Sequence, residues 1–325
     1  MQARYIIITA LLVAAVVAVC GCSTVTPEPT AVRATLTPGE SVYPMTISDY
    51  YDRTATITSE PQRIVSLSPV NTEMLFALGV GSKVVGTSKW SDYPEDAKKI
   101  PQVSEFSTVS YENITAINPD LIVAEDIVGE EAVSRLRSLG FPVVEFKNSN
   151  LTLIKKSIML LGKITNTEAN ATAIVTGFDR NISNISAKTA GLNDSQKPNV
   201  LLLTGFSASY PEIFPYGGNT YGDELLNLTG GRNAAANVPQ YSPMSKEAIV
   251  DADPDYIVIP VDGIYCLISD YEYFKNGNAT WMQSLKAVKN GKVMWVDGNL
   301  FLRPGPRSPD AGLALARVIH PELFQ

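Results

Sequence analysis

The chain has 325 residues, of which 45% are hydrophobic and 18% are charged, and its formal net charge is −7 at pH 7. This length is sufficient for two compact domains, and the composition is that of a folded protein. The acidic balance, without a basic stripe, argues against nucleic acid as a partner.

Residues 1–22 have the layout of a secretory signal, because an apolar run over residues 5–19 follows a single positive charge. The run ends in "VCGC", which resembles a lipobox with a small Gly21 before Cys22, the residue that would be lipid-modified. An uncleaved anchor helix is the alternative, since the run approaches membrane-spanning length. In both cases we expect an extracytoplasmic protein, anchored to the outer face of the cell membrane.

Residues 23–40 are rich in Thr and Pro and show no apolar period, which predicts an extended tether. If Cys20 leaves with the signal and Cys22 carries lipid, Cys266 is the remaining cysteine. An intramolecular disulfide is then impossible, and we expect Cys266 to be a small, buried apolar residue.

Asn-X-Ser/Thr sequons are more frequent than chance, which predicts about three for this Ser and Thr content. Any single site can be an ordinary feature of a polar surface. Their excess indicates an extracytoplasmic glycoprotein and, together with the lipobox, an archaeal surface. The sequon asparagines are Asn113, Asn150, Asn170, Asn181, Asn184, Asn193, Asn227 and Asn278.

Residues 41–150 have the pattern of an α/β lobe. Residues 43–57 alternate in polarity and predict a short hairpin. Beyond them, the β-rich runs "RIVSLS", "KVVGTS", "LIVAE" and "VVEF" are separated by helical segments such as "NTEMLFALG" and "EEAVSRLRSLG", each of which stops at a glycine. This alternation predicts a parallel sheet.

Residues 151–190 contain few turn signals and predict a helical linker, with a short break near residues 165–167 and then a long helix. One helical face of that second helix would be apolar. It would hold Ala171, Ile174, Val175, Phe178, Ile182 and Ile185. Residues 191–325 return to strand patterns in "NVLLLTG", "YIVIP" and "VMWVD", which predict a second α/β lobe.

A phrase of the first lobe recurs in the second. "INPDLIVAED" begins at Ile117, and its Pro-Asp is repeated 135 residues later in "DADPDYIVIP". Upstream, Glu112 and Glu247 are separated by the same 135 residues. Each lobe is therefore expected to carry a Glu at the start of a short helix that leads into a Pro-Asp turn and a buried strand.

Two α/β lobes joined by a long helix resemble the helix-linked periplasmic binding proteins of ABC importers. The segments "PQRIVSLSPVNTEMLFALG", "GTSKWSDYPEDAKKIPQVSEF" and "ITAINPDLIVA" are similar to the first lobe of the binders of cobalamin, ferric siderophores or haem. "GDELLNLTGGRNAA", "SKEAIVDADPDYIVI" and "RPGPRSPDAGLALARVIHPELF" are similar to the second. The resemblance covers residues 43–324 and implies two similar Rossmann-like lobes, joined by a long linker helix, with a ligand cleft between them.

The resemblance also implies a large, flat ligand between lobes that close only slightly. The cleft should be lined by loops at the carboxyl ends of the strands. Trp90 and Phe106 in the first lobe and Tyr241 in the second match aromatic cleft positions of the cobalamin binders, and rigid aromatic faces suit a planar macrocycle. Packing inside a lobe is the alternative, although the polar neighbours of Trp90 favour the cleft.

The Gly- and Pro-rich loop after "NVLLLTG" adds further aromatic candidates, among them Phe206 and Tyr210. In "LRPGPR", Arg303 and Arg307 either pair with a carboxylate of the ligand or cap the edge of the domain. A corrinoid is the favoured ligand because "SPVNTE" and "SDYP" are most similar to the cobalamin binders. A ferric siderophore or haem is the alternative.

In this family one Glu on each lobe docks onto arginine pockets of a two-subunit permease, and Glu112 and Glu247 match those positions. A pseudo-twofold protein that meets a twofold partner should carry duplicate contacts. The alternative is that each Glu merely stabilises the first turn of its helix. The implied partners are a permease dimer with its ATPase, and the binding protein itself is expected to be monomeric.

A catalytic site is not expected. His320, the one histidine, sits near the end of the last helical segment, and "GFSAS" lacks the second glycine of a nucleophile elbow. The chain lacks a phosphate-binding Walker sequence, and sites for bare zinc normally draw on several His or Cys. We therefore expect neither an enzyme nor a resident cofactor or metal site. A structural or adhesive surface glycoprotein is a third class, but it would not require the paired Glu.

Overall fold

The computed structural model describes residues 42–105, 108–210 and 212–324 of the chain. The predicted signal and tether, including Cys22, lie outside the described residues, and so does Phe106.

The described chain begins with the predicted hairpin, whose strands β1 (Met45–Ser48) and β2 (Thr54–Ile57) pair antiparallel. Alternate residues of both strands are buried, so one face of the hairpin packs on the first lobe. Asp49 closes the turn, because its Oδ1 accepts hydrogen bonds from the backbone N–H groups of Tyr51 and Arg53, each at 2.9 Å. The prediction of a hairpin is confirmed.

The first lobe is a sheet with helices on its faces. Its strands are β3 (Ile64–Ser66), β4 (Val84–Ser88), β5 (Gln102–Glu105), β6 (Thr108–Val109), β7 (Leu121–Glu125) and β8 (Val143–Phe146). Its helices are α1 (Pro69–Ala77), α2 (Tyr111–Ile117) and α3 (Glu130–Ser138). The strand order is β6–β5–β4–β3–β7–β8, and neighbours are parallel except for β6, which runs antiparallel to β5.

Local signals explain where α1 begins and ends. The side chain of Ser68 accepts a hydrogen bond from the backbone N–H of Asn71 at 3.1 Å, and Pro69 occupies the first turn. Two residues after the helix, Gly79 has φ = +85°, a conformation that a side chain would strain. The glycine stop predicted for this helix is therefore confirmed.

The segment between the lobes forms helices α4 (Leu151–Ile164) and α5 (Glu168–Thr189). The chain turns over the three residues between them, where the sequence predicts a break. Gly162 allows the two helices to meet closely, because a Cβ atom there would lie 2.5 Å from the Cβ of Ala171. Ala171 and Phe178 are buried on the predicted apolar face of α5.

The second lobe repeats the α/β pattern. Its strands are β9 (Asn199–Gly205), β10 (Phe214–Pro215), β11 (Arg232–Asn233), β12 (Tyr256–Val261) and β13 (Val293–Asp297). Its helices are α6 (Tyr221–Leu228), α7 (Lys246–Ala252), α8 (Ile268–Lys275), α9 (Thr280–Ser284), α10 (Lys286–Lys289), α11 (Gly298–Phe301) and α12 (Ser308–Ile319). The order is β10–β9–β12–β13, with β11 also beside β9, and β10 is the antiparallel member.

One apolar core runs through both lobes and the linker. It joins Ile64 of β3 and Val258 of β12 to Ile158 of α4 and Phe178 of α5. The opposite face of each sheet has a core of its own. The predicted fold class, two α/β lobes joined by linker helices, is confirmed. In the described part of the chain, every helix is too short or too polar to span a bilayer.

Candidate ligand cleft and docking surface

The carboxyl ends of the parallel strands meet at a cleft between the lobes. From the first lobe, Ser88 at the end of β4 and Glu125 at the end of β7 line it. From the second, Thr204 near the end of β9 and Asp262 directly after β12 line it. Ligands of α/β proteins bind at this edge of the sheet, because the loops that follow the strands converge there.

The cleft contains two adjoining cavities of about 240 and about 380 Å³, which share Val70, Glu125, Ile127 and Leu302 in their walls. The smaller one, which we call the Trp cavity, is lined mainly by apolar side chains, including Trp90 and Tyr265. The larger one, the Tyr cavity, is lined by Tyr216, Tyr221 and Tyr241.

Trp90 lines the Trp cavity and faces the second lobe. Its ring centroid is 5.7 Å from that of Tyr265, with an angle of 52° between the rings. The two aromatic rings therefore meet across the cleft. The ammonium group of Lys89 lies 5.1 Å from the centre of the Trp90 ring, which adds a cation–π contact at the rim.

A buried network of hydroxyl groups holds the Trp90 loop, and we call it the hydroxyl bracket. Ser91, directly after Trp90, has its Oγ 2.9 Å from Thr72 Oγ1 and 3.0 Å from Ser88 Oγ. Thr72 Oγ1 also donates to the Oγ of Ser66 at 2.9 Å. The bracket thus ties the loop to α1 and to the ends of β3 and β4. Sequence reasoning used "SPVNTE" only as a family signature and missed this role of Thr72.

Asp262 shapes the loop that faces Trp90. Its Oδ1 accepts hydrogen bonds from the backbone N–H groups of Ile264, Tyr265 and Cys266, at 2.9, 2.8 and 2.9 Å. The loop therefore presents Ile264 and Tyr265 at the cleft with 46% and 54% of their surfaces exposed. Sequence reasoning missed both residues. The available signal was an Asp-Gly pair directly after a strand, followed by two apolar residues.

Two arginines of the second lobe bind acids of the first. Arg303 lines the Trp cavity and forms a two-point ion pair with Asp92, in which the Nη2–Oδ2 distance is 3.3 Å. Burial raises the pKa of Asp92, but hydrogen bonding and attraction to Arg303 outweigh it, so the net pKa is lowered. Arg307 donates to both carboxylate oxygens of Glu73, at 2.9 and 2.7 Å. Both arginines thus join the lobes beside the cleft.

The other predicted cleft residues take three different positions, and only Tyr241 lines the cleft. Tyr241 lines the Tyr cavity and packs edge-on against Tyr216, with 5.8 Å between ring centroids. Phe206 is instead 6% exposed and packs 4.9 Å from Phe274 in the core of the second lobe. The Phe206 ring packs in this core because burial there removes a large apolar surface from water. Tyr210 lies on the surface, 64% exposed, and is not among the described residues that line the two cavities.

His320 is a helix-end residue rather than part of the cleft. It caps the carboxyl end of α12 and is 3% exposed. Its ring nitrogens lie 3.1 Å from Glu322 Oε1 and 3.2 Å from the carbonyl oxygen of Gly230. His320 therefore holds the end of α12 against the loop after α6.

The residues that lead into the repeated phrase form two matching helices, α2 and α7, which we call the acidic helices. Each has seven residues, begins at a serine whose side chain caps the third helical N–H, and ends at a residue in the left-handed conformation. The caps are Ser110 and Ser245 at one end, and Asn118 (φ = 51°) and Asp253 (φ = 34°) at the other. The repeat therefore extends from sequence to capping geometry.

The Pro-Asp carboxylates have the same task in both lobes. Asp120 accepts hydrogen bonds from the backbone N–H groups of Gln62 and Arg63, at 2.8 and 2.9 Å, just before β3. Asp255 accepts one from Asn199, the first residue of β9, at 2.8 Å. The repeated aspartate thus anchors the start of the first sheet strand of its lobe.

Glu112 and Glu247 lie in the first turns of the acidic helices, and both side chains are exposed. Within the described residues neither carboxylate has a hydrogen-bond or ion-pair partner. Neither Glu112 nor Glu247 is among the described residues that line the two cavities, so both carboxylates are available to a partner other than the ligand.

Comparison with known proteins agrees with this architecture. Residues 64–300 match the family described as periplasmic binding protein. The chain is 31% identical over 288 residues to the uncharacterized ABC transporter substrate-binding lipoprotein YvrC of Bacillus subtilis, covering 87% of this chain and 88% of that one. It is 26% identical over 265 residues to the vitamin B12-binding protein of Vibrio parahaemolyticus, covering 79% and 89%.

Among solved structures, a periplasmic haem-binding protein from Pseudomonas aeruginosa is similar, with a TM-score of 0.69 and 27% identity, covering 80% of this chain and 93% of that one. The family match spans most of the chain and includes both lobes of the cleft. The chain therefore belongs to the periplasmic binding protein family, whose members are substrate-binding transport proteins and not enzymes.

Proposed function

We propose that this chain is the extracytoplasmic binding lipoprotein of an ABC importer that captures a corrinoid between its lobes and delivers it to the permease. The observation that carries the proposal is the chemistry of the cleft. Its walls are aromatic and apolar, and the one cationic side chain among the described lining residues, Arg303, is already paired with Asp92.

The charge of the cleft favours a corrinoid over haem or a ferric siderophore. Asp126 and Asp262 line the cavities and give the cleft a negative balance. Haem carries two propionates, and many ferric siderophores are anionic, so both would need free arginines or lysines at the binding surface. A corrinoid instead carries peripheral carboxamides, which hydrogen-bond without requiring a countercharge. The B12-binding relative supports the same ligand class.

Delivery to a permease rests on the acidic helices. Glu112 and Glu247 are exposed, equivalent and without partners in the described residues. A permease dimer with twofold symmetry offers the same arginine pocket twice, so one carboxylate from each lobe fits it. The ATPase bound to that permease would drive import, and lipid on Cys22 would keep the monomeric binding protein at the membrane. The sequons are consistent with a glycosylated, archaeal cell surface.

The test is a calorimetric titration of residues 41–325 with cyanocobalamin, haem and a ferric siderophore. We expect cyanocobalamin to bind with a dissociation constant at least tenfold below those of the other two. Tighter binding of haem or of the siderophore would replace the corrinoid assignment with that ligand. If none of the three ligands binds, the chain still belongs to the family but the proposed ligand class is wrong.

A further inference from the structure

Glu125 is the polar side chain at the junction of the two cavities. It ends β7, lines both the Trp cavity and the Tyr cavity, and is 9% exposed. Its Oε1 accepts a hydrogen bond from Nδ2 of Asn148 at 2.7 Å. Among the described residues, no lysine or arginine forms an ion pair with it. A large ligand that fills both cavities must therefore cover this carboxyl group.

The surroundings of Glu125 favour its neutral form. Removing a carboxylate from water without a countercharge is costly, and the group responds by keeping its proton. Burial raises the pKa of Glu125 to about 7, hydrogen bonds from Asn148 and Ser68 oppose the rise, and the charge of Asp126 adds to it. The nearby arginines are committed to Asp92 and Glu73.

The other titratable groups around the cleft do not reverse the preference of Glu125 for its neutral form. The acids would only raise the preference for a neutral Glu125, and the tyrosines are uncharged near neutral pH. The titratable groups of the cleft on the elements around Glu125 are Asp126, Glu73, Arg307, Asp92, Arg303, Asp262, Tyr216, Tyr221, Tyr241 and Tyr265.

We propose that Glu125 binds the ligand in its protonated form and donates a hydrogen bond to the carbonyl oxygen of a peripheral carboxamide. This inference rests on the proposed corrinoid function. Asn148 donates to Oε1, and the carboxyl group lines both cavities, where a bound ligand can accept its proton. The bound ligand also excludes water and makes the charged form still less favourable. Binding above pH 7 therefore takes up about one proton.

The experiment titrates cyanocobalamin at pH 5.5 and pH 8.5 into three proteins: the unchanged chain, Glu125→Gln, and the control Glu131→Gln, which alters an exposed acid of α3. The unchanged chain and the control should bind about 30-fold more weakly at pH 8.5, because a group with a pKa of about 7 is about 97% ionised there. Glu125→Gln should bind equally well at both values, since its amide donates at any pH. Calorimetric titrations in buffers of different ionisation enthalpy should show that the unchanged chain takes up a proton when it binds the ligand and that Glu125→Gln does not.

A flat profile for the unchanged chain would overturn the proposal, and so would a pH dependence that survives in Glu125→Gln. A ligand-independent measurement protects against loss of folding. Glu125→Gln should melt at a higher temperature than the unchanged chain at pH 8.5, and the gap should narrow at pH 4.5. An equal gap at both pH values would show that Glu125 is ionised in the folded state and would also overturn it.

The failure of the ligand assignment is separable from the failure of this inference. If haem or a ferric siderophore binds and cyanocobalamin does not, the corrinoid function is wrong. The same comparison at two pH values with the ligand that binds then decides whether Glu125 acts as a neutral donor.

Discussion

The acidic helices and the cleft are built by the same two lobes, yet the first are duplicates and the second is not. Glu112 and Glu247 share a position, a serine cap and a left-handed helix end. The walls of the cleft differ, because the first lobe offers Trp90 and Glu125 whereas the second offers tyrosines and the Asp262 loop. The difference fits the proposed partners: a dimeric permease would present one surface twice, while a small ligand has two unlike faces.

The largest effect should come from removing the equivalent carboxylates of the two acidic helices. The double variant Glu112→Ala/Glu247→Ala should nearly abolish ligand uptake by cells, and each single change should weaken it, because losing one partner of a buried charge pair costs about 2–5 kcal/mol. Ligand affinity of the purified variants should stay unchanged, since the carboxylates do not line the cavities. The measurement is uptake of labelled ligand beside calorimetric affinity.

The control for that experiment is Glu131→Ala/Glu272→Ala, which removes an exposed acid from α3 and a half-buried acid that pairs with Lys275 from α8. It should transport normally. Normal uptake by the Glu112/Glu247 variant would contradict docking. The acids would then only stabilise helix ends, with a loss of about 0.3–1 kcal/mol of folding free energy at each site.

On the cleft side of the comparison, Trp90→Ala should weaken ligand binding by about 1–3 kcal/mol, as expected when an aromatic anchor is removed. The melting temperature should change little, because the ring lies in the cleft against Tyr265 rather than in the core of either lobe. Trp295→Ala is the control, since Trp295 on β13 is 52% exposed and lies outside both cavities. An unchanged affinity with a lower melting temperature would assign Trp90 to folding.

The hydroxyl bracket gives an effect of a different kind, on folding stability as well as on ligand affinity. Thr72→Val keeps the shape of the side chain but removes the hydroxyl that contacts Ser66 and Ser91. We expect a loss of about 1–3 kcal/mol of stability, because the buried hydrogen bonds of the Thr72 hydroxyl are lost, together with a weaker ligand affinity as the Trp90 loop loosens. Denaturant unfolding and calorimetry measure the two losses. Full affinity in the folded variant would show that the loop is held without the bracket.

The smallest effect concerns the ion pair that joins the lobes beside the cleft. The pKa of Asp92 is lowered from 3.8, so its pairing with Arg303 stabilises the protein above that pH and is lost as the pH falls through the lowered value. Asp92→Asn should therefore lower the melting temperature slightly at pH 7. The difference should shrink toward pH 3, and it should also shrink in high salt because Asp92 is partly exposed. If the difference in melting temperature between the unchanged chain and Asp92→Asn is the same at every pH, the ionisation of Asp92 does not contribute to stability.

Local features of this chain could be predicted from its sequence, and contacts between distant segments could not. The hairpin, the glycine that stops α1 and the repeated acidic helices each depend on neighbouring residues, and all are present. Arg303 and Asp92 are 211 residues apart, so no local sequence pattern predicts their ion pair. Phe206 shows the same limit, since only the position of Phe274 decides that its ring turns into the core.

The shared apolar core has a mechanical consequence. Because α4 and α5 bury side chains from both lobes in one core, and Gly162 brings the two helices into close contact, a wide rotation of one lobe would tear that core. The shared core therefore limits the lobes to small changes of angle. A permease bound to both acidic helices, as proposed, would hold the molecule at one point on each lobe. Docking would then supply the torque that loosens the cleft, and the stiff linker would serve as its fulcrum.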